Sequence, residues 1–203
     1  MAKIKHTKNE LKAQREALAR FERFLPMLQL KKQQLQVEIQ AIDASLSEKR
    51  RQEKQLQDDA APWVRLFAEP IELDTLVVPE AVETEEGNIA GVSIPLLKEV
   101  RIRRGNVDLF ATPPWIDDGM QITEQLIRLR VEREILEEQR RRIAEELRVT
   151  NQRVNLFEKI KIPECRENIR IIRIFLGDEQ TAAVARGKLA KARTSSNRLD
   201  EAA

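Results

Sequence analysis

Apolar residues return in alternating steps of four and three along both ends of this chain. From Ile122 the series runs Ile122, Leu126, Leu129, Arg133, Leu136, Arg140, Ile143, Leu147, Thr150, Val154 and Phe157. A second series runs Leu11, Gln14, Leu18, Phe21, Leu25, Leu28, Lys32, Leu35, Ile39, Ile42, Leu46, Lys49, Glu53 and Leu56, and ten of these fourteen positions are apolar. Heptad spacing keeps one side of a helix turned to a partner, so each series predicts a coiled-coil seam. The segment from Thr123 to about Lys191 would measure ~100 Å as unbroken helix, too long to bury its own stripe. Two such helices at opposite ends of one chain return to each other only as an antiparallel pair, and the C-terminal one outruns its partner by roughly twenty residues at ~1.5 Å each.

Two prolines interrupt the pattern. Pro26 falls inside the first series with the register agreeing on both sides, which predicts one kinked helix. Near Ile160 to Cys165 the phase slips, and the apolar set becomes Ile162, Cys165, Ile169, Ile172 and Leu176 with Pro163 at the slip. Between Asp58 and Gln121 the helical period is lost, and six of the eight prolines, four of the six glycines and both tryptophans collect there. Asp74 to Glu86 reads as an irregular acidic connection with a turn at Thr84 to Asn88. Ile94, Leu96, Val100 and Ile102 alternate, and Arg104-Gly105-Asn106 offers a turn before Val107 to Phe110, which predicts a short antiparallel hairpin. Trp63, Phe67, Phe110 and Trp115 are the candidate small core beneath it, and Asp117 or Asp118 is the expected cap of the long helix.

The expected fold is mainly α: a long antiparallel two-helix coiled coil formed by the N- and C-terminal segments, with a small irregular α/β head that holds a short β-hairpin. The boundaries read as 1–57 for the first coiled-coil helix, 58–121 for the acidic head, 122–192 for the second helix and 193–203 for a disordered tail. The seam residues are Leu18, Phe21, Leu25, Leu28, Leu35, Ile39 and Ile42 on one helix, and Leu126, Leu129, Leu136, Ile143, Leu147, Val154 and Phe157 on the other. Arg133 and Arg140, facing Lys32, Lys49 and Glu53, either pair across the seam and fix its register or snorkel at its edge.

Composition supports this picture. Charged residues make up 34% and aromatics 4%, and tyrosine is absent, as in long-helix proteins. The net charge of +2 hides a segregation: residues 1–57 carry 13 basic and 7 acidic groups, 58–121 carry 5 and 13, and the remainder 18 and 14. The single Cys165 allows no internal disulfide and suits a reducing compartment. No apolar run reaches the length of a membrane span and the N-terminus has no hydrophobic signal core, so a cytoplasmic protein without direct membrane insertion is expected.

Candidate chemistry is sparse. No Walker-type GK[ST] occurs, and the one histidine, His6, lies in a polar lead-in. Cys165 has no histidine partner, and carboxylates such as Glu83, Glu85, Glu86, Glu137 and Glu138 lack a pocket. No catalytic residue, cofactor site or metal site is expected.

Two stretches carry a resemblance. Thr7-Lys8-Asn9-Glu10-Leu11-Lys12, followed by Leu30-Lys31-Lys32-Gln33-Gln34-Leu35, is the first. Gln152-Arg153-Val154-Asn155-Leu156-Phe157-Glu158-Lys159-Ile160-Lys161-Ile162-Pro163 is the second, continuing through Ile169 to Leu176 and the basic run Arg186 to Lys191. Together they resemble the D subunit of the V/A-type rotary ATPases and ATP synthases (V-type ATP synthase), with Arg153, Val154, Asn155, Glu158 and Pro163 as the specific family-like motif. The resemblance implies a non-catalytic central rotor stalk that passes torque between a membrane ion-driven ring and a catalytic hexamer. It implies as partners the catalytic and nucleotide-binding subunits, a small central-stalk subunit and a funnel-shaped subunit on the membrane rotor ring. It also implies a location peripheral to the membrane, and no nucleic-acid partner. The alternative from the residues alone is a basic coiled-coil nucleic-acid-binding or scaffold protein, against which stand the interleaved glutamates and the lack of an aromatic platform.

Overall fold

The computed structural model describes residues 5–63, 73–107 and 113–200. Helix α1 spans Lys8–Ala60 and ends in a single 3-10 turn, Ala61–Trp63. A short α2, Leu73–Leu76, leads into strands β1, Val77–Ile89, and β2, Val92–Arg104. Helix α3 covers Ile116–Leu156, a π-helical turn Phe157–Lys161 follows, and α4 runs Ile162–Asp200. The fold is mainly α, with long helices toward both ends and one antiparallel hairpin.

Helix α1 begins where its chemistry allows. Thr7 Oγ1 accepts from the Glu10 backbone N–H at 3.2 Å, and Glu10 lies three residues on, the Thr-x-x-Glu arrangement that satisfies exposed first-turn donors. Pro26 sits within α1, exposed to solvent, and the helix passes through it. α3 starts at Ile116, earlier than the apolar stripe predicts. Asp117 and Asp118 therefore lie in its first turn, where negative charge meets the helix dipole, and do not precede it as caps. α4 is helical to Asp200, so most of the segment expected to be a disordered tail is helix.

One strand of the hairpin is as expected, since β2 carries Ile94, Leu96, Val100 and Ile102, but its partner and the turn are not. β1 is the segment that reads as an irregular acidic connection, and Thr84 to Asn88 is strand, not turn. The strands pair Ile89 with Val92 across a two-residue loop, Ala90 at φ 50° and Gly91 at φ 80°. Both loop residues are left-handed, as a type I′ turn requires to match the twist of its strands. Asn88 Oδ1 accepts from the Gly91 N–H at 3.0 Å and braces the loop. Register shifts between Pro79 and Ala81 and between Glu83 and Thr84 break the alternation.

The chain divides into two compact units: Met1–Leu30 with Asn151–Ala203, and Lys31–Thr150. In the second unit one apolar cluster joins Leu35, Ile42 and Leu46 of α1, Ile94 of β2 and Ile143 of α3. Another cluster holds Val77, Trp115, Ile116 and Met120, with Ile102, Val107 and Ile127 against it. Trp115 is thus a core residue, whereas the Trp63 side chain, Phe67 and Phe110 fall outside the described residues. Gly105 closes the hairpin's base. Its N–H donates to the Leu76 carbonyl at 2.7 Å, and a Cβ there would stand 3.2 Å from the Leu76 Cα.

Candidate functional site

The stripes predicted by periodicity meet within each unit. In the first unit the Phe21 and Phe157 rings meet at 5.0 Å between centroids, tilted by 54°, and Asn168 Nδ2 donates to Gln14 Oε1 at 3.4 Å. Arg166 bonds Glu22 at 2.8 Å, and the His6 ring lies 4.7 Å from that of Phe175. Low numbers on α1 meet high numbers on α4, so the helices run antiparallel. Val154, Ile162, Cys165, Ile169 and Ile172 are buried, while Leu18, Phe21, Leu25, Leu28 and Phe157 are half-buried. Burial pushes the Cys165 thiol above its ordinary pKa, which keeps it protonated and unreactive.

In the second unit the pairing is again antiparallel. Lys31 bonds Glu146 at 2.6 Å, Asp43 meets Arg140 at 2.5 Å, Lys49 meets Glu132 at 2.5 Å, and Arg133 lies 3.7 Å from Glu53. Leu35, Ile42 and Ile143 are buried, and Ile39, Leu126, Leu129, Leu136 and Leu147 are half-buried. Polar seam positions thus divide. Lys49, Glu53 and Arg133 sit half-buried, Lys49 paired with Glu132 and Glu53 with Arg133, and Arg133 Nε is buried without a hydrogen-bond partner. Arg140 is exposed and reaches out to Asp43. Its neighbour Gln139 is buried instead.

Helical periodicity passes over Gln139 because its partner is not a helix. Its Nε2 donates to the Pro95 carbonyl of β2 at 2.5 Å, and Arg142 Nη1 reaches the Ser93 carbonyl at 3.3 Å. Two side chains of α3 thereby hold the strand that inserts Ile94 into the helix seam. The signal in the sequence is a glutamine three residues from Leu136 and four from Ile143, which heptad counting does not weigh.

Charge on the surface is organised by arginine. The Arg141 and Arg142 guanidiniums hydrogen-bond the half-exposed Glu138 carboxylate and bring its pKa from 4.5 to about 2. Arg104 and Arg128 hold Glu124 below the carboxylate range in the same way, the bond to Arg104 having the larger effect. Of the family-like motif, Val154 faces inward, Asn155 is half-buried, and Arg153, Glu158 and Pro163 are exposed. Pro163 is the second residue after the π turn, where the Ile162 N–H bonds the Phe157 carbonyl five residues back. That turn takes up one residue more than an α turn and accounts for the phase slip near Ile160 to Cys165. No three His, Cys, Asp or Glu side chains group to hold a metal ion among the described residues. Among them, too, no helix is long and apolar enough to cross a membrane.

Residues 10–192 match the family model described as the ATP synthase D subunit. A protein of Borreliella burgdorferi named as the D subunit of V-type ATP synthase is 44% identical over 191 residues, covering 94% of this chain and 95% of its own. Proteins of the same name from Chlamydia muridarum, 35% identical over 94% of this chain and 95% of theirs, and from Chlamydia pneumoniae, 32% identical over 93% and 91%, are similar along the same span.

Proposed function

The chain belongs to the ATP synthase D-subunit family, and we propose that it is the non-catalytic central rotor-stalk component of a V-type rotary ATPase or ATP synthase. It transmits torque between a membrane ion-driven ring and a hexamer of catalytic and nucleotide-binding subunits. A small stalk subunit and a funnel-shaped subunit on the ring are its other partners, and it works at the membrane periphery on the cytoplasmic side.

The observation that carries the reading is the antiparallel pairing of N-terminal with C-terminal helix in both units. A lone helix of α1's 53 residues bends readily. Two helices zipped by apolar contacts resist bending and twisting far better, which a torque-bearing part requires. Cross-helix ion pairs at the seam edge oppose sliding of one helix along the other.

The reading is tested by truncation. Beyond Leu176 every described side chain of α4 is exposed, so removal of Arg186 to Ala203 should leave the fold intact. In the assembled complex that truncation is expected to leave ATP hydrolysis running while ion transport falls behind it. Full coupling in the truncated complex refutes the axle role.

A further inference from the structure

The two units differ in how they treat arginine. In the second unit, every arginine with a described side chain has a carboxylate at ion-pair distance. In the first, Arg166 and Arg170 are so held, but Arg15, Arg20, Arg23, Arg153, Arg173, Arg186 and Arg193 have no carboxylate partner among the described residues. Net charge follows the same line. The residues of the first unit hold 18 basic and 10 acidic groups, or +8, and those of the second 18 and 24, or −6. In the second unit carboxylates are matched to guanidiniums both along one helix, as in Arg141 with Glu138, and across elements, as in Arg140 with Asp43. The first unit leaves the guanidiniums open.

Two of the open arginines, Arg15 of α1 and Arg173 of α4, border one groove of about 360 Å³. Half-buried Leu18 and the 7% exposed Ile169 also line it, together with the Arg166–Glu22 pair. We propose that this groove is a docking surface for an acidic protein segment that places an apolar side chain on Leu18 and Ile169 and carboxylates on Arg15 and Arg173. The occupant belongs to the subunits that surround the stalk, so the inference rests on the function proposed above and adds the chemistry of one contact. Guanidinium forks match carboxylates two bonds at a time, and arginine beside an apolar lining is the composition of interface cores. A nucleic-acid backbone would use the arginines but leave the apolar lining uncovered.

The test uses the full chain and a catalytic hexamer assembled without it, with affinity measured at two salt concentrations. Both arginines are exposed, so Arg15→Gln/Arg173→Gln and Arg15→Glu/Arg173→Glu should keep the wild-type melting temperature. The glutamine pair is expected to weaken binding several-fold, and the glutamate pair by about tenfold or more, with a shallower salt dependence in both. Arg103→Gln/Arg130→Gln, which removes equal charge from the second unit, should stay within about twofold of wild type on the same grounds. Wild-type affinity in both groove variants, alongside a wild-type chain that does bind, overturns the groove and leaves the axle reading standing. A folded wild-type chain that fails to bind the hexamer overturns both. Arginine-dependent binding to a DNA duplex and not to the hexamer overturns the choice of occupant.

Discussion

Ile94 is the residue through which the hairpin becomes part of the helix pair, and its truncation measures that attachment. The side chain has no exposed surface and packs among Leu35, Ile42, Leu46 and Ile143. Ile94→Ala removes three carbons, about 2.4 kcal/mol of transfer free energy at ~0.8 kcal/mol per buried carbon. A cavity that closes only partly adds on the order of 1 kcal/mol, at ~24 cal/mol per Å³. The expected loss is therefore about 3 kcal/mol, read as a shift of the urea midpoint followed by circular dichroism. Leu96 is the internal control, because it lies two residues along the same strand yet is 43% exposed. Leu96→Ala should cost under about 1 kcal/mol. The strand has a second way to respond: it can lift off α3, breaking the Gln139–Pro95 bond. Limited trypsin digestion detects this as faster cleavage after Lys98 and Arg101. Equal losses for the two variants, with no change in cleavage, would refute the placement of Ile94 at the core.

The charged layer at the seam gives a second test. Glu53→Leu alone leaves Arg133 half-buried without its carboxylate and should cost about 1–3 kcal/mol. Glu53→Leu/Arg133→Leu should recover that loss in thermal melts, and a double variant no better than the single one would contradict the pairing. Glu138 should titrate near pH 2 by carbon NMR and move upward with added salt, since its partners are exposed arginines. Its folded pKa is depressed, so its contribution to stability is present above the unfolded value near 4.5 and is lost as pH falls toward 2. Ala90 occupies a left-handed conformation, and Ala90→Gly should stabilise the hairpin by about 0.5–1 kcal/mol, with unchanged or lower stability as the contrary result.

The helices are legible because burial on one side of a long helix writes a period into the sequence, and Leu35, Ile42 and Ile143 carry it plainly. The hairpin is legible only in part. β2 supplies Ile94 and Val100 to the interior, but β1 has only Val77 buried, includes Pro79 and exposes Glu80, Glu85 and Glu86. A strand with so little to bury leaves no alternation to read. Its turn is hidden for a related reason: alanine in a left-handed conformation does not announce a type I′ loop, and Gly87-Asn88 draws attention three residues too early. The cross-pairing of Lys49, Glu53, Glu132 and Arg133 is open in the sequence because charge at a seam position reads equally as a pair or as a side chain reaching for solvent. The open arginines of the first unit are invisible there, since they are defined by the carboxylates that fail to approach them.

The π turn before Pro163 has a mechanical side. Eight residues separate Val154 from Ile162, and at ~100° each an α-helix would carry the second about 80° past the first. The looser loop takes in the surplus residue, so both side chains stay on the inner face. The proline two residues on brings no N–H of its own, so the hydrogen-bond ladder is thinned over this turn. A twisting load along the helix meets less resistance there than in an unbroken α turn, as a spring wound with one slack coil yields at that coil.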